Sequence, residues 1–180
     1  LIVVQSDPTG AQIIIDDIVK THVKLLADAT ATVADPQVRH RGTFGGALAH
    51  GDPAGDLPAV VLALDATMEI AGAKGRRQVA AKDFFVDYFT TAVGPDEILV
   101  SITIPKLGKG WGTCYEKFNR TASGWAVVGV AAAVKVEGGK ITDARIGLTN
   151  CAAVPVRASS VESALKGASI SAAEIEAASQ

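Results

Sequence analysis

The sequence predicts an α+β fold in two parts. Three strand-turn-strand patterns, five helical patterns and a glycine-rich link carry that prediction. The link, Lys106-Leu-Gly-Lys-Gly-Trp-Gly112, divides an N-terminal domain over residues 1–105 from a C-terminal domain over residues 106–180.

Element by element, Leu1 to Val4 and Gln12 to Ile15 are β-branched runs on either side of Asp7-Pro8-Thr9-Gly10, a turn signal, and are expected as strands. Lys24 to Ala34 is rich in alanine and leucine and stops before Asp35-Pro36, which predicts a helix ended by the residue preceding proline. Leu57 to Leu64 has proline in its first turn and predicts a buried helix capped by Asp56. Thr67 to Ala71 and Arg77 to Ala80 flank Gly72-Ala-Lys-Gly75 and predict a hairpin. In Lys82 to Phe89 the spacing of Phe84, Phe85, Tyr88 and Phe89 predicts one aromatic helical face, read as core. Ile98 to Ile104 alternates apolar with Ser101 and Thr103 and predicts a strand closed by Pro105.

Beyond the link, Tyr115 to Phe118 is a short strand. Trp125 to Val136 and Ile141 to Thr149 form a long hairpin through Glu137-Gly-Gly-Lys140. Val161 to Lys166 and Ala172 to Ala178 are helical, the second with a capping-box pattern at Ser171 and Glu174.

Composition limits the function classes. The chain has 180 residues, 48% of them hydrophobic and 20% charged, with a formal net charge of −2, which is globular and offers no basic footprint for nucleic acid or anionic lipid. Cys114 and Cys151 lie far apart without partners at metal-ligand spacing, so no metal site is expected and a reducing compartment fits. No apolar run approaches the roughly 20 residues of a membrane-spanning helix.

The most informative stretch is Arg41-Gly-Thr-Phe-Gly-Gly-Ala-Leu-Ala-His-Gly-Asp-Pro-Ala-Gly-Asp56. Gly45 and Gly46 permit close approach to an anion or a flat ring and can take positive φ, Thr43 offers a hydroxyl, and the following amides offer donors. A plain connector loop has the same composition. Asp56 reads equally as a helix cap and as a ligand contact, Lys117, beside Glu116, as a solvated strand residue, and Asp52 as a turn former. His40 and His50 flank the stretch and are read as loop residues. No nucleophile elbow accompanies His50 and Cys151, and no catalytic residue is assigned.

From Val38 to Pro58 this stretch resembles the second flavin-binding motif of the FAD-binding medium subunit of molybdenum hydroxylases, especially the aerobic carbon monoxide dehydrogenase type. Asp96-Glu-Ile-Leu-Val-Ser-Ile-Thr-Ile-Pro105, Tyr115-Glu-Lys-Phe-Asn-Arg120, Asp143-Ala-Arg-Ile-Gly-Leu148 and Val154-Pro-Val-Arg-Ala158 are similar to successive segments of the family in the same order. The resemblance implies a vanillyl-alcohol-oxidase-like (PCMH-type) FAD-binding domain followed by an antiparallel sheet with helices. By position, Thr43, Gly45 and Gly46 would line the cofactor, Asp56 would hydrogen-bond it, Leu99 would touch the isoalloxazine region through its main chain, and Lys117 would lie near the ring. Two departures accompany the match. Nothing before Arg39 resembles the family's first Ala-Gly-Gly motif, so the domain is expected to be N-terminally incomplete, and Ala47 stands where the family often has a polar side chain.

The resemblance further implies electron relay. A large subunit would carry the molybdenum cofactor, a small one two [2Fe-2S] clusters, and FAD on this chain would pass electrons to an acceptor. Such complexes are expected as dimers of heterotrimers in the cytoplasm, meeting the inner face of the cell membrane only through the complex. An FAD-free docking subunit or fragment is the alternative.

Overall fold

A computed structural model describes residues 1–180 as two four-stranded antiparallel sheets wrapped around a buried helix. The first sheet has the order β1-β6-β2-β3, built from β1 (Ile2–Gln5), β2 (Thr67–Gly72), β3 (Gly75–Ala80) and β6 (Glu97–Ile104). Its register sets Val4 and Met68 on either side of Ile102, and a bulge falls between Glu69 and Ile70. The second sheet, β10-β9-β8-β7, is a meander of β7 (Trp111–Phe118), β8 (Val128–Glu137), β9 (Lys140–Thr149) and β10 (Val156–Arg157). A two-stranded ribbon, β4 (Phe85–Asp87) with β5 (Thr90–Thr91), projects from the first part.

Helices α1 (Gly10–Ile15), α2 (Asp17–His22), α3 (Lys24–Ala31), α4 (Pro36–Arg39) and α5 (Phe44–His50) follow β1, and α6 (Asp56–Ala63) leads into β2. A single turn, α7 (Ala81–Phe84), precedes the ribbon, and α8 (Ser159–Leu165) and α9 (Ala172–Ala178) close the chain. None of these helices is long and apolar enough to cross a membrane.

Helix α6 organises the molecule. All eight of its residues are buried, as an apolar segment hydrophobic on every side requires. It packs on α3 and α5 on one side and on β8 and β9 on the other. The close approach depends on Gly147, because a Cβ there would overlap the carbonyl of Ala59. One apolar cluster therefore joins Leu25, Val60 and Ile102 of the first part to Tyr115 and Ala131 of the second.

Three local expectations are corrected. Gln12–Ile15 belongs to helix α1, not to a strand: Thr9 and Gln12 form a reciprocal capping box, with Thr9 N donating to Gln12 Oε1 at 2.7 Å. The Lys82–Phe89 segment holds only one helical turn before the chain reverses, with Phe89 at φ +48°. Phe84 and Phe85 are core, whereas Tyr88 and Phe89 are exposed and stack edge to face. Asp56 does not cap α6; Gly55 is the cap residue, and the Asp56 side chain turns inward.

Candidate functional site

The stretch Arg41–Asp56 folds into a short helix and a turn. Thr43 caps α5 by accepting from Gly46 N at 3.1 Å, and Gly51, at φ +65°, ends it. The two glycines have different tasks, and neither takes positive φ. Gly45 is buried against Ser6, whose backbone and Cβ leave no room for a side chain, and its amide donates to Ser6 O at 2.8 Å. Gly46 faces a cavity, where an added Cβ would meet only Thr43.

That cavity, of about 340 Å³, lies between α1, α3, α5 and the start of α6. Gly42 and Gly46 leave part of its wall without side chains, while Ile13, Val33, Val38 and Leu57 make it apolar. Asp56 closes one end, and His50 and Trp125 also border it. His50 leans on Phe89, ring centroids 5.0 Å apart. Asp52 forms the turn expected of it, accepting from Ala54 N at 2.8 Å.

Behind the cavity lies a buried polar cluster. Lys117 Nζ sits 2.9 Å from Asp56 Oδ2 and donates to Thr32 O at 3.2 Å, and Tyr115 donates to Asp56 Oδ1 at 2.6 Å. The Asp56 and Lys117 side chains are each 5% exposed. Burial, and then the Asp56 charge, push the Tyr115 hydroxyl far above the usual tyrosine range, so it remains a donor. Strand period 2 puts Tyr115 and Lys117 on one face of β7, so both reach the same carboxylate.

Of the six residues expected at the site, Thr43, Gly46 and Asp56 line the cavity and Lys117 reaches it through Asp56. Gly45 lies beneath the wall. Leu99 stands apart, 3% exposed in β6 opposite Ile70. The amides expected as donors are already engaged: Phe44 N on Pro8 O, Gly45 N on Ser6 O, Gly46 N on Thr43 Oγ1 and Ala47 N on Thr43 O. Tyr115 and Trp125 were not anticipated. For Tyr115 the signal was available, two residues before Lys117 on a strand.

Fold and cavity together define a two-part α+β chain built beside a glycine-lined, apolar recess. The family profile "FAD binding domain in molybdopterin dehydrogenase" matches residues 2–107, and "CO dehydrogenase flavoprotein C-terminal domain" matches residues 113–180. The chain belongs to this family of molybdopterin dehydrogenase FAD-binding domains. It is 38% identical over 161 residues to the carbon monoxide dehydrogenase medium chain of Hydrogenophaga pseudoflava, covering 89% of this chain and 56% of that protein. It is 42% identical over 150 residues to the glyceraldehyde dehydrogenase medium chain of Sulfolobus acidocaldarius, covering 83% and 53%. Among solved structures, a carbon monoxide dehydrogenase from Hydrogenophaga pseudoflava lacking the Mo-pyranopterin moiety of its cofactor superposes with a TM-score of 0.94 at 39% identity, over 98% of this chain and 61% of that one. Quinoline 2-oxidoreductase from Pseudomonas putida 86 superposes with a TM-score of 0.88 at 32% identity, over 94% and 59%. The chain thus spans less than two thirds of the length of each of these relatives. The α+β fold expected from the sequence, a cofactor-binding part followed by an antiparallel sheet with helices, is the fold of these neighbours.

The residues present fit part of FAD. The glycine-lined, apolar recess suits a flat ring, and Asp56, with two of a carboxylate's roughly four acceptor sites in use, can still take a sugar hydroxyl. The engaged amides of α5 provide no further grip for a pyrophosphate.

Proposed function

We propose that this chain is the FAD-holding portion of a molybdenum hydroxylase medium subunit, with residues 1–105 forming the cofactor domain and 106–180 the second domain. Bound FAD would accept electrons singly from [2Fe-2S] clusters on a small partner subunit and release them to an external acceptor. Substrate would be oxidised at a molybdenum cofactor on a large subunit, carbon monoxide being the substrate named for the Hydrogenophaga relative. The assembly would be a cytoplasmic dimer of heterotrimers that approaches the membrane only as a complex.

The chain's own residues would bind and orient. Thr43 and Gly46 would border the cofactor, Asp56 would accept from a hydroxyl of it, and Lys117 would hold Asp56 while placing positive charge near the recess. Leu99 and Gly45 would serve from behind, Gly45 by letting α5 sit against Ser6 and Leu99 through the main chain of β6. The observation that carries the proposal is the meeting of Thr43, Gly46 and Asp56 at one cavity in a chain of this family.

The test is purification of the native complex followed by acid release of its flavin. FAD in one-to-one ratio with this chain, accompanied by molybdenum and iron, is the expected result. A complex with both metals and no flavin on this chain would replace the proposal with an FAD-free docking role, the reading favoured by the engaged α5 amides.

A further inference from the structure

The hydroxyl of Tyr115 is buried and has one polar partner, Asp56, at 2.6 Å. Phenylalanine would fill the same apolar volume, so packing alone gives no reason for the hydroxyl. Space for it is made on the neighbouring strand, where a Cβ at Gly129 would come within 2.5 Å of the Tyr115 oxygen and 2.6 Å of Thr149 Cγ2. Thr149, fully buried, reaches the turn before Asp56, with Oγ1 at 2.7 Å from Pro53 O and 2.6 Å from Gly55 O. The β7–β9 sheet therefore fixes both the backbone leading into Asp56 and the orientation of its carboxylate.

We propose that Tyr115 is a positioning residue for ligand recognition: with Lys117 it grips one oxygen each of Asp56, setting the carboxylate plane so that its remaining lone pairs face the recess and accept from a sugar hydroxyl of the cofactor. The inference deepens the proposed function and rests on the recess being the FAD site. Tyr115 does not touch the ligand; it acts through Asp56. A free carboxylate would rotate about its Cβ–Cγ bond and meet a hydroxyl in fewer of its orientations, so the gain lies in preorganisation. Tyrosine suits this task better than a second cation, because it fixes the oxygen without neutralising the acceptor.

The experiment is a fluorescence titration of the purified protein with FAD, in wild type and Tyr115→Phe, each also in an Asp56→Ala/Lys117→Met background that removes both buried charges together. Circular dichroism checks that each variant is folded. The expected result is an affinity loss of about tenfold for Tyr115→Phe in the native background, the scale of one hydrogen bond to a charged group, and less than about twofold in the background without Asp56. Equal losses in both backgrounds, or none in the native one, overturn the positioning role, because Tyr115 then acts through packing or not at all. Failure of the wild type to bind FAD overturns the cofactor reading of the recess and this inference with it. Wild-type binding that Tyr115→Phe leaves unchanged overturns this inference alone.

Discussion

The ammonium of Lys117 on β7 lies 2.9 Å from the carboxylate of Asp56 on α6, with both side chains only 5% exposed. This pair bridges the two halves of the chain inside its largest apolar cluster. Its Coulomb attraction must offset the loss of hydration for both ions, so its removal as a unit differs from its rupture. Lys117→Met leaves Asp56 charged, buried and short of one partner, and is expected to lower unfolding free energy by about 3–5 kcal/mol. Adding Asp56→Leu should return most of that loss. Urea unfolding of the single and double variants checks it; a single variant within about 0.5 kcal/mol of wild type would show that the pair is hydrated in solution.

The sequence carried the outline of this arrangement but not its contacts. Strand alternation from Ile98 to Ile104 and the Glu137–Lys140 turn announce themselves locally, because period and turn chemistry are short-range properties. The capping box at Thr9 was equally local and was hidden by the β-branched run Ile13–Ile15, whose propensity points to strand. Asp56 was legible as a functional candidate, yet its inward orientation depends on Tyr115 and Lys117, 59 and 61 residues away. Such pairings are set by how a sheet docks on a helix, which no local pattern encodes. The exposed Tyr88 and Phe89 show the same limit: their spacing suits a helix, but the reversal at Phe89 turns them outward.

The two neighbouring glycines should respond differently to substitution. Gly45→Ala drives a methyl into the backbone of Ser6, which is tied to β6 through Ser6 N and Val100 O at 3.0 Å and cannot yield cheaply. A stability loss of about 1–3 kcal/mol is expected, the usual scale of overpacking. Gly46→Val asks only the Thr43 hydroxyl to move, 2.7 Å from the new Cβ, and otherwise fills the recess. Its effect should fall mainly on FAD affinity, and on stability by less than about 1 kcal/mol, the scale of a helix-propensity change and a weakened cap. Thermal unfolding beside flavin titration separates the two, and equal destabilisation by both would contradict the division of tasks.

Acid should weaken the first sheet through Glu97. Arg77 donates to both of its oxygens and Gly94 N to one, at 2.9 Å, and these bonds, Arg77 first, hold the Glu97 carboxyl at about 2 against an ordinary 4.5. Because the folded value is depressed, the stabilisation is fully present above the ordinary value and is lost as pH falls through the window from 4.5 to 2. The difference in melting temperature between wild type and Glu97→Gln should be constant above that window and close within it. Carbon NMR of the carboxyl gives an independent check, and a titration midpoint near 4.5 would show that the Arg77 fork does not persist in solution.

Asp65, in the turn between α6 and β2, holds the two sheets together at the surface. It adopts φ +49°, a conformation Asp and Asn tolerate better than most residues, and its carboxylate meets Arg157 at 2.7 Å and Arg145 at 3.0 Å. Arg157 also grips Glu162 of α8, and the Arg145 guanidinium lies 4.6 Å from the Trp111 ring centroid, so one turn is coupled to β7, β9, β10 and α8. Asp65→Asn keeps the backbone preference and removes the charge, and should cost about 1 kcal/mol at low ionic strength, the upper range for an exposed pair that belongs to a network. Salt separates charge from shape: at 1 M NaCl, where the Debye length falls to about 3 Å, the cost should shrink by about half. Asp65→Ala loses the same charge and also places alanine at positive φ, adding about 1 kcal/mol that salt does not remove. A salt-independent loss for Asp65→Ala with none for Asp65→Asn would mean that the turn conformation, and not the ion network, joins the halves.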